Sequence, residues 1–174
     1  MKKLFTLTAL LILGASTIFA QGNAKKGNYK GSGGTAHEVI KGNNMTISYG
    51  RPLKKGREIF GGLVPYGQVW RTGADEATEI TFDKPCVFNG VAIGSGTYTL
   101  FTIPGLKEWV IILNTDLHQW GAYGYDKVKD KNAVKEQVSV TTMSDVVEQF
   151  TITIKNDFIV LEWDKTRVEI PVKF

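Results

Sequence analysis

Hydrophobic and polar residues alternate with a period of two along most of the chain after residue 37. The clearest alternating stretches are 45–49, 79–83, 137–141, 150–155 and 167–173. This period is typical of β-strands that turn one face to the core and the other to solvent. Residues 98–103 and 109–113 are instead apolar on both faces, which predicts central strands covered on both sides.

Turn-forming residues separate these stretches and complete the prediction of the fold class. Asn89-Gly90 is typical of a two-residue hairpin, and Asn156-Asp157 and Pro104-Gly105 lie between other predicted strands. Helical periodicity nowhere extends beyond about two turns, although residues 144–148 are suited to one short helical turn. We therefore predict an all-β protein, an antiparallel, jelly-roll-like β-sandwich of about nine to eleven short strands.

The N-terminal segment has the organisation of an export signal. Lys2 and Lys3 precede an apolar run, and Ala20 is a small residue at a suitable cleavage position. The run is shorter than the about 20 apolar residues of a membrane-spanning helix, although an uncleaved anchor stays an alternative. The expected organisation is a signal peptide at 1–20, a flexible leader at 21–36 and a β-sandwich domain at 37–174. The protein is then exported, either periplasmic or secreted, with no membrane span after cleavage.

Length and charge narrow the classes of partner. The 174 residues are enough for one domain with its own hydrophobic core. Cleavage of the signal removes two lysines and no acid, so the formal net charge falls from +4 to +2. A charge this small gives no reason to expect a nucleic acid or an anionic membrane as partner. Cys86, the one cysteine, can form no internal disulfide, and its apolar neighbours predict a core position.

The residues with candidate chemistry are concentrated in two irregular loops, at 50–76 and 114–125. Long loops in compact domains often carry function, so these two are the first places to look for a site. Within the first loop four cations occupy seven positions: Arg51, Lys54, Lys55 and Arg57. Such a group is suited to a carboxylate, a phosphate or a sulfated glycan. The alternative is a solvated loop whose charges bind nothing.

Trp70, Arg71, Asp75 and Glu76 follow in the same loop. An ion pair between Arg71 and Glu76 would brace the loop, whereas a polar pocket would use Glu76 as an acid or a base. Glycoside hydrolysis normally needs two carboxylates about 5–10 Å apart. We expect Asp75 and Glu76 to diverge, because neighbouring residues of a strand face opposite sides.

The second loop offers His118 as a candidate base and three aromatic residues. Only one other histidine is present, His37, so we expect no metal site. Trp120, Tyr123 and Tyr125 are suited either to stacking on a sugar or to capping the end of the sandwich.

Several long strings resemble one protein family. They are GREIFGGLVPYG (56–67), VWRTGADEAT (69–78), GTYTLFTIP (96–104), WVIILN (109–114) and QWG (119–121). Together they resemble DUF2911, a family of uncharacterised exported bacterial proteins, over about residues 37–174. The resemblance implies a secreted or periplasmic β-rich domain. It implies no activity and supplies no catalytic residue.

The leading functional hypothesis is a binding module for a small ligand or glycan, formed where the two loops converge. Its predicted lining is Arg51, Arg57, Trp70, Arg71, Glu76, Asn114, His118 and Trp120. One alternative is a structural or assembly protein of the cell envelope, and another is a hydrolase that uses Glu76 or His118. We expect no cofactor and no metal.

Overall fold

The computed structural model describes residues 35–174, so the predicted signal peptide and nearly all of the leader lie outside the described residues. The described part contains strands and two short 3₁₀ turns, at Tyr125–Lys127 and Lys129–Lys131. Its strands are β1 (Ala36–Gly42), β2 (Met45–Arg51), β3 (Thr78–Phe82), β4 (Cys86–Phe88), β5 (Val91–Ile93), β6 (Gly96–Ile103), β7 (Glu108–Asn114), β8 (Asn132–Lys155) and β9 (Phe158–Lys173). The all-β prediction is confirmed.

The nine strands of this region form one antiparallel sheet in the order β1-β2-β3-β6-β7-β8-β9-β4-β5. Strand β8 pairs with β7 through its first part and with β9 through the remainder. The start of the sheet approaches this later part, since the Tyr49 hydroxyl accepts a hydrogen bond of 3.0 Å from the Ile152 N–H. A continuous sheet bent in this way over a shared core is compatible with the predicted sandwich.

Strands β8 and β9 are far longer than the short strands that the sequence predicts. The pairing of β8 with β9 shifts register around Val147, and such irregularities bend a strand. The prediction of a helical turn at 144–148 is wrong, because this segment belongs to β8. Its mixed polarity comes from an exposed, irregular part of a strand.

The core lies on both faces of the central strands, as predicted. Leu100 belongs to the larger cluster of buried residues, which draws on every strand after β1 and also contains Cys86. Its neighbour Phe101 packs on the opposite face with Ile112 and Tyr125. Consecutive strand residues point to opposite faces, so β6 and β7 contribute to both clusters.

The predicted turns lie between strands. Asn89 and Gly90 join β4 to β5 with φ values of 45° and 85°, the backbone conformation of a type I′ hairpin. Asn156, with φ of 53°, begins the link from β8 to β9. Pro104-Gly105 lies between β6 and β7.

Candidate functional site

The two irregular loops contact each other, which is one part of what the binding hypothesis requires. The Ala77 N–H donates to the Gln119 carbonyl at 2.9 Å, and the Gly121 N–H donates to the Asp75 carbonyl at 3.1 Å. Glu76 also pairs with Trp120 in an isolated β-bridge. The second loop therefore fixes the end of the first loop.

A cleft of about 460 Å³ lies next to the first loop, where the end of β2 faces β8 and β9. Its lining contains four of the eight predicted site residues: Arg51, Arg57, Trp70 and Arg71. The four that do not line it are Glu76, Asn114, His118 and Trp120. The cleft thus belongs to the first loop, and the second loop contacts that loop without lining the cleft.

A constrained turn presents Arg71 to the cleft. Backbone hydrogen bonds in both directions join Trp70 to Thr102, at 2.7 and 3.0 Å. Thr72 then adopts φ of 54°, a left-handed conformation that is unusual for a β-branched residue. Its hydroxyl lies 3.0 Å from that of Thr102, and its carbonyl accepts a hydrogen bond of 2.7 Å from the Thr78 hydroxyl. Strained backbone held by its surroundings is a common property of functional sites.

Gly50 lets the end of β2 lie directly against this turn. A Cβ atom at Gly50 would be 2.2 Å from the Ala74 carbonyl oxygen, a distance that no side chain tolerates. The close approach of the two backbones brings Arg51 to the same cleft as Asp75.

The floor of the cleft, formed by Trp70 and Trp163, is part of a buried aromatic cluster. The two indoles stack with their centroids 6.0 Å apart and an interplanar angle of 19°. Phe60 packs edge-to-face on both indoles, and its ring centroid lies 5.9 Å from that of Trp70 and 6.2 Å from that of Trp163. Both tryptophans are buried, so the floor is held by packing before any ligand arrives.

The cations of the cleft differ in how their charge is compensated. The Arg51 Nη1 lies 3.2 Å from the Glu38 carboxylate, and its Nη2 donates to the Thr151 hydroxyl at 3.0 Å. Arg57 donates to two backbone carbonyls, from Nε to Lys54 at 2.9 Å and from Nη2 to Leu53. The Arg71 Nε is buried and has no hydrogen-bond partner among residues 35–174.

The predicted ion pair between Arg71 and Glu76 is wrong. Glu76 instead approaches His37 on β1, with 3.2 Å between Oε2 and Nε2. The expectation that Asp75 and Glu76 diverge is also wrong, because the Asp75 Oδ2 lies 4.0 Å from the same imidazole nitrogen. Asp75 has φ of 62°, so the segment is not extended there and the two carboxylates point to one neighbour.

Asn114 and His118 have other surroundings. The side-chain amide of Asn114, which is fully buried, donates to the Val128 carbonyl at 2.7 Å and to the Asn132 side chain at 2.8 Å. Those bonds close the second loop at its base. The His118 side chain is 86% exposed and lies 3.3 Å from Glu79. His118 and Glu76 therefore pair with different residues.

The three aromatic residues of the second loop were suited either to capping the core or to stacking on a sugar, and they differ in burial. Tyr125 is buried and packs edge-to-face on Phe101, with 5.3 Å between ring centroids, so it caps the core. Trp120 is half exposed and Tyr123 is 85% exposed. These two rings remain accessible to solvent.

The predicted lining omits several residues that line the cleft, among them Lys55, Asp75, Gln149 and Trp163. Gln149 lies almost one hundred positions after Arg51, yet its side-chain amide donates to the Arg51 carbonyl at 3.1 Å. No local pattern marks Gln149 or Trp163 as site residues, because only the bend of β8 and its pairing with β9 bring them to the first loop. Asp75 had a visible signal in its position between Arg71 and Glu76.

A family model described as "Protein of unknown function (DUF2911)" matches residues 32–172. This chain belongs to the DUF2911 family. No curated protein and no solved structure matches it.

Two further properties concern the described part of the DUF2911 chain. Within residues 35–174, no three His, Cys, Asp or Glu side chains form a group that could hold a metal ion. In that same range there is no helix with the length and apolar character needed to cross a membrane.

Proposed function

We propose that this DUF2911 protein is an exported binding module that holds a small ligand or glycan in the cleft beside the first loop. The observation that carries the proposal is the cleft itself, in which charged side chains surround an aromatic floor. Its volume of about 460 Å³ lies within the range of about 300–1,000 Å³ typical of small-molecule sites. Export rests on the N-terminal signal pattern.

The fixed geometry of the lining supports binding. Contacts within the protein already hold Arg51, Arg57 and the turn at Thr72. A preorganised site loses less conformational entropy when the ligand arrives, so more of the contact energy remains as affinity. A purely structural role would be served by tight packing at this end of the fold and would not require an open cleft.

The test is a screen of monosaccharides, oligosaccharides and small metabolites against the exported protein, followed by ¹⁵N NMR. A ligand should shift the backbone amides of residues 51–57 and 70–75. Arg71→Ala should weaken binding about tenfold or more, while Trp120→Ala, outside the cleft, should leave affinity unchanged. Shifts confined to the Trp120 loop would contradict the proposed site. A complete lack of binding would favour a structural role in the cell envelope.

Hydrolysis is a second candidate function, because Asp75 and Glu76 both approach His37 and Asp75 also lines the cleft. Neighbouring carboxyl and imidazole groups can share the acid and base steps of hydrolysis. Chromogenic glycosides and esters would be assayed with the wild type, Glu76→Gln and the control Glu79→Gln. Loss of turnover in Glu76→Gln alone would support catalysis. Absence of turnover in the wild type, or equal turnover in all three proteins, would remove this candidate.

A further inference from the structure

We propose that the cleft selects small hydroxylated anions, such as sugar acids and sugar phosphates, and that the Arg71 guanidinium is their main binding group. This inference rests on the proposed binding function and specifies the ligand class. It follows from the charges of the lining, from the surroundings of Arg71 and from the position of Asp75.

The lining is strongly cationic although the whole protein is not. It contains one carboxylate, Asp75, and four cations: Arg51, Lys55, Arg57 and Arg71. Glu38 compensates Arg51. The other three cations form no ion pair with any of residues 35–174, while the neighbouring Lys54 pairs with Asp164 at 2.7 Å. The cleft therefore concentrates positive charge in a molecule whose formal net charge is only +4.

Arg71 lacks the acceptor that a buried guanidinium nitrogen normally has. Its Nε is shielded from solvent and has no hydrogen-bond partner in the described part of the chain. Leaving such a donor unpaired is costly, and nearly all buried polar groups in proteins are paired. The planar guanidinium matches a carboxylate or a phosphate through two parallel hydrogen bonds. An oxyanion in the cleft would supply acceptors to the guanidinium and compensate its charge.

Asp75 adds a requirement for a hydroxyl group. Asp75 lines the cleft, and its buried Oδ2 lies 4.0 Å from the His37 imidazole nitrogen without a hydrogen bond to any of residues 35–174. A carboxylate accepts hydrogen bonds and repels a second anion, so the ligand should present an O–H group to it. Sugar acids and sugar phosphates are small molecules that carry both an anionic group and hydroxyl groups.

Arg57 provides a second cation at the rim. Its Nε and Nη2 donate to the carbonyls of Lys54 and Leu53, which fixes the guanidinium plane. A fixed plane loses little entropy when its remaining N–H groups bind an oxyanion.

The test uses matched ligands that differ in charge: galacturonate, galactose 1-phosphate and neutral galactose. Calorimetry on the exported protein at low salt should show both anions binding at least about tenfold tighter than galactose. Arg71→Gln should weaken anion binding about 10- to 100-fold. Arg167→Gln is the matched control, since it removes the same charge from a residue that pairs with Glu162 outside the cleft.

A direct readout is the Arg71 Nε–H resonance in ¹⁵N NMR, which should move on addition of either anion and not of galactose. Arg71→Lys keeps the charge but loses the planar group that donates two parallel hydrogen bonds. It should bind anions more weakly than the wild type and more tightly than Arg71→Gln. Equal affinity for galactose and galacturonate, unaffected by Arg71→Gln, would overturn the anion inference and leave the binding function intact. Failure of all three probes to perturb the cleft would also overturn it, and a neutral ligand from the wider screen would then still support binding.

Discussion

Gly50 and Thr72 determine where the charged side chains of the cleft lie, although neither carries charge. Gly50 permits the backbone of β2 to touch the backbone at Ala74. Thr72 holds the left-handed turn through its hydroxyl and carbonyl groups. The arginines of the first loop are visible in the sequence as candidates. The backbone contacts that bring Arg51 and Arg71 to one cleft are not, because they join segments that fold onto each other.

Replacement of Gly50 by alanine should damage both stability and the cleft. The new Cβ would be 2.2 Å from the Ala74 carbonyl oxygen, so β2 or the turn must move. We expect a loss of about 1–3 kcal/mol in the free energy of unfolding in urea. Gly42→Ala is the control, since its Cβ would meet Ile154 at an ordinary 3.7 Å. Equal losses in the two variants would show that the contact at Gly50 is not tight.

At the level of elements, the sequence predicts the strands and turns that depend on neighbouring residues alone. Alternation marks β2 and β3, and Asn89-Gly90 marks the hairpin between β4 and β5. The bend of β8 was not predictable in this way, because its register shifts depend on pairing with β9. The same limit applies to the cleft, since Gln149 and Trp163 lie on those two strands.

Asn114 offers a test of whether the second loop supports the fold or binds the ligand. Its amide joins Val128 and Asn132, and its Oδ1 accepts the Asp116 N–H at 2.8 Å. Asn114→Ala should cost about 1–3 kcal/mol of unfolding free energy, because buried polar groups lose their partners.

Hydrogen exchange should show faster exchange of the Asp116 amide in Asn114→Ala, while anion affinity stays within about twofold of the wild type. Thr115→Ala is the control, because the exposed Thr115 hydroxyl makes one bond to the Lys131 carbonyl between the same segments. A large loss of affinity in a folded Asn114→Ala protein would place Asn114 in the binding site after all.

On the scale of the whole molecule, Tyr49 connects the beginning of the sheet to its last hairpin. Its hydroxyl donates to the Glu38 carboxylate at 2.6 Å and accepts from the Ile152 N–H at 3.0 Å. Burial and the hydrogen bond to Glu38 raise the pKa of Tyr49 far above its ordinary value of 10.0. The stability that Tyr49 contributes should therefore decline in alkaline solution.

Tyr49→Phe should lower the free energy of unfolding by about 1–3 kcal/mol near neutral pH, because the Ile152 N–H loses its acceptor. Unfolded chains release the Tyr49 proton above about pH 10 while the folded protein keeps it, so the contribution is full below that pH and declines above it. Urea unfolding at about pH 8 and about pH 11 should show a smaller difference between wild type and variant at the higher pH.

Tyr98→Phe is the matched control for Tyr49→Phe. Its exposed hydroxyl makes one bond of 3.1 Å to the Gly94 carbonyl, so the loss should be smaller. An unchanged difference between wild type and Tyr49→Phe at the two pH values would contradict the assignment of the raised pKa.

The stacked pair Trp70 and Trp163 also has an optical consequence. Their indole centroids lie 6.0 Å apart, and the Trp109 centroid lies 6.1 Å from that of Trp70 with an interplanar angle of 83°, so the electronic transitions of the three rings couple. The circular dichroism of the native protein should therefore contain an exciton signal that no ring gives alone. Trp120, exposed on the other loop, lies outside this pair. The intensity of that signal would report the integrity of the cleft floor in an unlabelled sample.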